Sequence, residues 1–225
     1  MIREHFVGTW LGSLLIGARE KAALLRASLT TPEAVATVYN DRLVLRLAVG
    51  LCDPGGIFVN VGTHTGSVSA AVLRRHPRAQ VIAIEPIAEK AADLRALDDL
   101  LPSGKISVLK IDAEGAELGV LLGAESVVAR GRPLIVFESR PNVRDHSDSQ
   151  ATQRANDDKA RIWDWFAQRN YAVCAPNRVA HYDDGMALAT FLDSHLYPRH
   201  TTNYVAVPRE RRLEVRAAAR AFLGL

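Results

Sequence analysis

The sequence predicts an α/β protein with a doubly wound, mostly parallel sheet and a helical extension at its N-terminus. Two observations support this fold class. Short apolar runs rich in β-branched residues recur along the chain with helical patterns between them, at 57–61, 80–84, 107–111 and 133–137. Each run ends in glycine or a polar residue, as is typical of parallel strands whose carboxyl ends meet at a ligand-binding edge.

Composition places the chain among ordinary globular proteins. The 225 residues suffice for one domain, and contents of 48% hydrophobic and 24% charged residues exclude disordered and fibrous classes. The net charge of +3 is small and the arginines are scattered outside the C-terminal segment, so no nucleic-acid partner is expected. Cys52 and Cys174 are far apart and form no metal-binding pattern, which predicts buried thiols and a cytoplasmic location.

The first 52 residues are predicted to form helices that pack on the core or on a partner subunit, and residues 53–225 to form the α/β domain. The apolar segment 6–18 is too short to cross a bilayer, so no membrane span is expected. Thr31-Pro32-Glu33 begins a helix that extends to Cys52, with a break expected near Asn40.

Further elements follow from the same patterns. The polar segment 140–158 has no apolar period and is predicted to be a loop. Helices are predicted over 67–76, 89–101, 116–130 and 161–168 and near the C-terminus, and further strands over 171–174 and 204–207.

The loop after the first strand has the composition of a ligand-binding turn. Gly62 and Gly66 flank Thr63 and His64 and open a helix. Glycines here allow a ligand to approach the backbone, and the helix N-terminus offers N–H donors to a carboxylate. The alternative is a tight strand–helix turn without a ligand, with His64 an ordinary loop residue.

Glu85 and Pro86 follow the second strand. An acid at this place can accept hydrogen bonds from both hydroxyls of a ribose; its alternative role is to cap the next helix. Together with the glycine loop it favours a nucleoside-containing cofactor. The G-T-H-T-G loop departs from G-x-G-x-x-G, so a dinucleotide is less favoured.

The block K-I-D-A-E-G-A-E at 110–117 resembles the signature of the FkbM-like methyltransferases. The resemblance extends over about residues 40–208, through F-V-N-V-G at 58–62, I-E-P at 84–86, I-V-F-E at 135–138 and N-Y-V-A-V-P at 203–208. It implies a class I, Rossmann-like methyltransferase fold, S-adenosylmethionine as methyl donor, and O-methylation of a small hydroxylated acceptor such as a saccharide or natural product.

Two departures from that family bear on the cofactor. Asn60 stands where the family commonly has aspartate, so a cofactor contact is kept but its negative charge is lost. The stretch between Glu85 and Lys110 is short and lacks an edge strand near 88–97. The protein must then enclose the adenine in another way, bind it weakly, or have lost the activity. The open sheet edge is expected to favour a homodimer.

Carboxylates at the ends of the third and fourth strands are the predicted catalytic groups. Asp112, also a predicted cofactor contact, is the first candidate for general base, Glu114 the second, and Glu138 shares the cavity. Side-chain alternation is expected to place Asp112 and Glu114 together. A divalent metal held by these acids is a less favoured alternative. Glu117 is expected on the helix surface. His146 is a minor candidate for the base.

The sequence therefore predicts an S-adenosylmethionine-dependent O-methyltransferase. The alternative is a non-catalytic module of the same fold with weak or lost affinity for the cofactor. Asn60 and the short middle region support this alternative.

Overall fold

A computed structural model describes residues 35–63, 65–85, 97–139, 149–181, 184–196 and 201–225, together with the helical positions 18, 21, 22, 25, 26 and 29. His64, Pro86 and His146 lie outside the described residues, as do nearly all of segment 6–18 and most of the short region near 88–97.

The described residues form helices and strands that alternate through the first two thirds of the chain. The strands are β1 (Ile57–Val61), β2 (Gln80–Ile84), β3 (Ile106–Ile111), β4 (Leu134–Glu138), β5 (Tyr171–Cys174) and β6 (Asn203–Pro208). The α-helices are α1 (Val35–Gly50), α2 (Ser67–Arg75), α3 (Leu97–Leu100), α4 (Glu117–Leu122), α5 (Glu125–Gly131), α6 (Ser149–Gln168), α7 (Leu188–Asp193) and α8 (Arg212–Leu223). Short 3₁₀ turns lie at Pro176–Arg178 and Arg209–Arg211.

The strands lie in the order β2-β1-β3-β4-β6-β5. β2, β1, β3 and β4 are parallel, and β6 runs antiparallel to both β4 and β5. The chain leaves β1 for β2 on one side and then crosses to β3 on the other, so the strand order reverses around β1. The predicted doubly wound, mostly parallel sheet is confirmed.

Helices cover both faces of the sheet, which explains why its central strands are apolar on both sides. On one face, Phe137 packs with Phe166 and Tyr204 in a core shared with α3 to α7. On the other, Phe58 lies in a second core with α1, α2 and α8, to which Leu47 of α1 contributes. Helix α1 therefore packs on the sheet.

The predicted break in α1 is wrong, because its polar residues are used in tertiary hydrogen bonds. The Asn40 side chain accepts from the backbone N–H of Asn177 at 3.2 Å. The Asp41 carboxylate accepts from the backbone N–H and the hydroxyl of Thr202 at 3.0 and 2.9 Å. The helix continues through both residues and is anchored beside β6.

The predicted loop over 140–158 and the single helix over 116–130 are also wrong in part. Helix α6 begins at Ser149, and its polar first half carries a Gln153–Asp157 hydrogen bond of 2.9 Å.

The 116–130 segment forms two helices, α4 and α5. The Asp98 carboxylate accepts from the first backbone N–H groups of α5 at 2.7 and 2.8 Å, which stabilises the second start.

None of the helices within the described ranges combines the length and the apolar character that crossing a membrane requires.

Candidate functional site

The predicted site residues follow strands that end at one edge of the sheet. Val61, the last residue of β1, pairs with Ile84 of β2 and with Ile111 of β3. Because these strands are parallel and their order reverses around β1, their carboxyl ends form the switch point at which doubly wound proteins bind ligands, and we call this edge of β1, β2 and β3 the crevice.

Gly62 allows the ends of β1 and β3 to come together. Its φ is 79°, and a Cβ at this position would lie 1.7 Å from the carbonyl oxygen of Asp112. Its N–H donates to the Ile84 carbonyl at 2.8 Å, and the Asp112 N–H donates to the Val61 carbonyl at 3.0 Å. The close approach at this glycine is therefore to the protein's own backbone.

Gly66 is the N-cap of α2 and also has a positive φ, of 68°. Among the described residues, a Cβ here would meet no atom within 4 Å, so the glycine leaves open space beside the start of the helix. Its N–H donates to the Thr63 carbonyl at 2.8 Å, which closes the loop. This open position at a helix N-terminus is suited to the carboxylate of a ligand.

Glu85 and Thr63 meet across the crevice. The Thr63 hydroxyl donates to the exposed Glu85 carboxylate at 2.9 Å. The structure thus brings the loop after β1 and the acid after β2 together, and the carboxylate stays accessible at the edge of the sheet.

Asn60 is buried within β1, in register with Ala83 and Lys110. Its Nδ2 donates to the Ser69 hydroxyl at 3.1 Å. Its Oδ1 is buried and has no hydrogen-bond partner among the described residues. A buried acceptor without a donor costs about 1–3 kcal/mol, which a ligand that supplies an N–H would recover.

Lys110 and Asp112 form an ion pair at the end of β3. The ammonium and carboxylate are 3.0 Å apart, and the side chains are 5% and 40% exposed respectively. A buried ammonium needs a partner, so Lys110 draws the Asp112 carboxylate to this edge while leaving it in contact with solvent.

Glu114 and Glu117 have roles that differ from those predicted. The chain turns at Glu114, whose φ is 54° and whose side chain is exposed. The segment is therefore not extended, and the strand-like alternation expected to place Glu114 beside Asp112 does not apply. Glu117, predicted on the helix surface, is only 4% exposed. Its Oε1 accepts from the backbone N–H groups of Ala113 and Gly115 at 3.2 and 3.0 Å.

Glu138 is half-buried at the end of β4. Since Lys110 pairs with Val136, strand alternation places Glu138 on the same face of the sheet as Lys110. In the parts of the chain that the structure describes, no three or more His, Cys, Asp or Glu side chains are placed to hold a metal ion.

A buried polar network that the sequence did not predict lies next to Glu138. His195 Nε2 lies 2.7 Å from the Ser139 hydroxyl, and its Nδ1 lies 2.7 Å from the Phe191 carbonyl. Ser194 and Tyr204 join their hydroxyls at 2.6 Å beside it. Burial lowers the pKa of His195 to about 4, so the ring is neutral. Ser139 lies 56 residues before His195, and no motif in the sequence links the two, so no signal indicated the network.

Comparison with known proteins decides the family. The family described as the methyltransferase FkbM domain matches residues 32–173, more than half of the 225-residue chain. The chain belongs to the FkbM methyltransferase family. The resemblance predicted from the 110–117 block is confirmed, and membership supports methyl transfer as the class of chemistry.

Other comparisons add little to this assignment. No curated protein matches the chain. A solved structure, YbdL from Escherichia coli, described as having a methionine aminotransferase function, is 10% identical with a TM-score of 0.41. The alignment covers 81% of this chain and 44% of YbdL, so the chain spans less than half of that protein. A likeness this low carries no argument.

Membership of the FkbM methyltransferase family implies S-adenosylmethionine as the methyl donor, and the residues at the crevice fit this molecule. The exposed Glu85 carboxylate can accept from ribose hydroxyls. The open space at Gly66 suits the amino-acid carboxylate, and the unsatisfied Asn60 Oδ1 suits the amino group. His64 and Pro86, also predicted cofactor contacts, lie outside the described residues.

Proposed function

We propose that this FkbM methyltransferase transfers a methyl group from S-adenosylmethionine to a hydroxyl oxygen of a small acceptor, a saccharide or another natural product. The observation that carries the proposal is that the 62–66 loop, Glu85 and the Lys110–Asp112 pair converge at the switch point of the sheet. Family membership supports methyl transfer itself, and the acceptor class follows from the resemblance.

In this proposal the cofactor is held by residues of β1 and β2. Glu85 accepts from the ribose, with Thr63 fixing its carboxylate. The 62–66 loop binds the amino-acid portion through backbone groups at the start of α2, and Asn60 accepts from the amino group. A neutral amide in place of a carboxylate makes that last contact weaker.

Catalysis in this proposal depends on position and on proton removal. S-adenosylmethionine, when bound, supplies an electrophilic methyl group with a neutral thioether as leaving group. Asp112 orients the acceptor hydroxyl and accepts the proton that this hydroxyl loses, and Lys110 holds its carboxylate in place. Alignment of two reactants can contribute about 7–11 kcal/mol. In this proposal Glu114 is the second candidate for the base, and Glu138 shares the cavity.

A non-catalytic module of the same fold is the second candidate function. It is favoured by Asn60, because the neutral side chain at the end of β1 attracts a cationic donor less than a carboxylate would. Such a module would bind a partner, with little or no affinity for the cofactor.

The test is methyl transfer from labelled S-adenosylmethionine to a panel of saccharides and hydroxylated natural products. We expect label in at least one acceptor, and a loss of at least roughly 100-fold in rate for Asp112→Asn. Glu125→Gln, on the remote helix α5, is the matched control. If the wild type transfers no label and calorimetry detects no binding of S-adenosylhomocysteine, the second candidate is favoured.

We also propose a cytoplasmic location and a homodimer. Cys52 and Cys174 form no disulfide and are buried, which suits a reducing compartment. Strand β2 lies at an edge of the sheet that the described residues form, where a second copy could pair. Light scattering at several protein concentrations tests the dimer; a constant monomer mass contradicts it.

A further inference from the structure

The loop at 112–116, between β3 and α4, is held at both of its ends. At its start, the Asp112 N–H donates to Val61, and the Asp112 carbonyl is packed against Gly62. At its end, the Ala116 N–H donates to the Ala113 carbonyl at 3.2 Å. The loop therefore has little freedom where it joins the sheet.

The middle of the loop is organised by one buried side chain. Glu117 is the first residue of α4, and its Oε1 accepts from both Ala113 and Gly115. The two N–H groups flank Glu114, so the loop is drawn around the carboxylate and Glu114 is turned outward. Hydrogen bonds to an ionised acceptor are about twice as strong as neutral ones.

The backbone of this loop is unfavourable without such support. Glu114 has a φ of 54°, in the left-handed region that non-glycine residues rarely adopt, and Gly115 has a φ of 105°. Strained residues of this kind persist only where surrounding contacts determine them. The two hydrogen bonds to Glu117 are contacts of this kind, one on each side of Glu114.

We propose that Glu117 is a positioning residue: by holding Ala113 and Gly115 on one carboxylate oxygen, it sets the place of Asp112 and Glu114 at the crevice. The inference rests on the proposed function, because it assigns these two acids to the reacting end of the site. Glu117 is buried and acts through the loop.

The first experiment compares three variants by kcat and by KM for S-adenosylmethionine. Glu117→Leu removes the acceptor, and we expect kcat to fall roughly 100-fold with a smaller change in KM, since misplacement of about 1 Å has that effect. Glu117→Gln keeps an oxygen at the same place and is expected to restore most of kcat. Glu125→Leu, the first residue of α5, is the matched control and leaves kcat unchanged.

A second variant keeps the inference testable if Glu117→Leu does not fold. Gly115→Ala adds a methyl group that meets no atom of the described part of the chain within 4 Å, so the change acts on the backbone at φ 105°. We expect it to fold and to lose kcat as Glu117→Leu does. A folded Glu117→Leu or Gly115→Ala protein with wild-type kcat overturns the proposal.

Hydrogen exchange separates this proposal from the proposed function. Protection of the Ala113 and Gly115 amides is expected in the wild type and in Glu117→Gln, and its loss in Glu117→Leu. A distinct outcome is that the wild type transfers no methyl group while the two amides are protected in every protein that keeps an acceptor oxygen at 117 and exposed in Glu117→Leu. In that case the proposed function fails, but the inference that Glu117 holds the loop in place is supported. Unchanged exchange in Glu117→Leu overturns the bracing itself.

Discussion

At the scale of single residues, Gly62 and Gly66 provide a matched pair. Both have a positive φ, but within the ranges that the structure describes an added Cβ would meet another atom at Gly62 alone, the Asp112 carbonyl oxygen at 1.7 Å. We expect Gly66→Ala to cost about 1 kcal/mol of unfolding free energy, from the backbone alone. Gly62→Ala should cost more than about 3 kcal/mol, because β1 and β3 must separate. Urea denaturation measures both; equal losses would contradict this description of the β1–β3 junction.

Asn60→Asp tests the departure from the family at the end of β1. A carboxylate there occupies the strand position in register with Lys110, and we expect it to add a charge-assisted contact to the donor's amino group. We expect roughly 5- to 10-fold tighter binding of S-adenosylmethionine, equivalent to about 1 kcal/mol. Calorimetry on the wild type, Asn60→Asp and Asn60→Leu measures this. Unchanged or weaker binding in Asn60→Asp would show that this position does not contact the donor.

Residues at strand ends can be located from the sequence, and residues that brace a loop cannot. Glu85 and Asp112 are recognisable as site candidates because each directly follows an apolar run, and parallel strands bring such residues to one edge. Glu117 has the sequence context of a surface residue at the start of a helix. Its burial depends on the turn at Glu114, which requires a left-handed backbone that no sequence pattern indicates.

At the scale of secondary-structure elements, His195 connects α7 to the end of β4. Its Nδ1–H donates to Phe191, and its unprotonated Nε2 accepts from Ser139. Because the pKa of His195 is about 4 in the folded protein and near 6.5 when unfolded, the unfolded chain binds the proton first as pH falls. The contribution of His195 to the free energy of unfolding is therefore fully present above pH 6.5 and is lost as the pH falls from 6.5 to about 4.

The expected loss for His195 is on the order of 3 kcal/mol. It is measured as the change in unfolding free energy with pH, compared between the wild type and His195→Gln. The variant is expected to show a shallower decrease in this window, since carboxylates contribute equally to both proteins. Identical pH dependence would mean that His195 does not titrate differently on folding.

Elements with strong local patterns are predicted well. The β1 and β3 strands are short, apolar and buried on both faces, so the sequence shows them directly. The first half of α6 is polar and has no apolar period of its own. Among the described side chains of this helix, the buried apolar ones begin at Ile162, in its second half. The antiparallel direction of β6 depends on tertiary pairing with β4 and has no local signal.

At the scale of the whole molecule, cofactor binding should stabilise the fold. A ligand at 100 times its Kd adds about 2.7 kcal/mol to the unfolding free energy. For a domain of this size, we expect S-adenosylhomocysteine to raise Tm by roughly 5–10 °C. Differential scanning fluorimetry with adenosine as control measures the shift. A Tm that does not respond at any concentration would favour the non-catalytic module.

The topology of the whole molecule is the most predictable level, because alternating strands and helices permit few arrangements. The sequence also points to the switch point as the site, since its motifs follow consecutive strands. The acceptor pocket cannot be predicted in the same way. No motif identifies its residues, and contacts between distant segments, such as that of Asp41 with Thr202, arise only in the folded protein.

The central claim is that the crevice between the ends of β1, β2 and β3 binds S-adenosylmethionine. A crystal structure of the protein with S-adenosylhomocysteine tests it most directly. We expect the ribose hydroxyls on the Glu85 carboxylate, the amino-acid portion at the 62–66 loop, and the sulfur facing Asp112. A nucleoside bound elsewhere, or a crevice filled by the protein's own side chains, would contradict the claim.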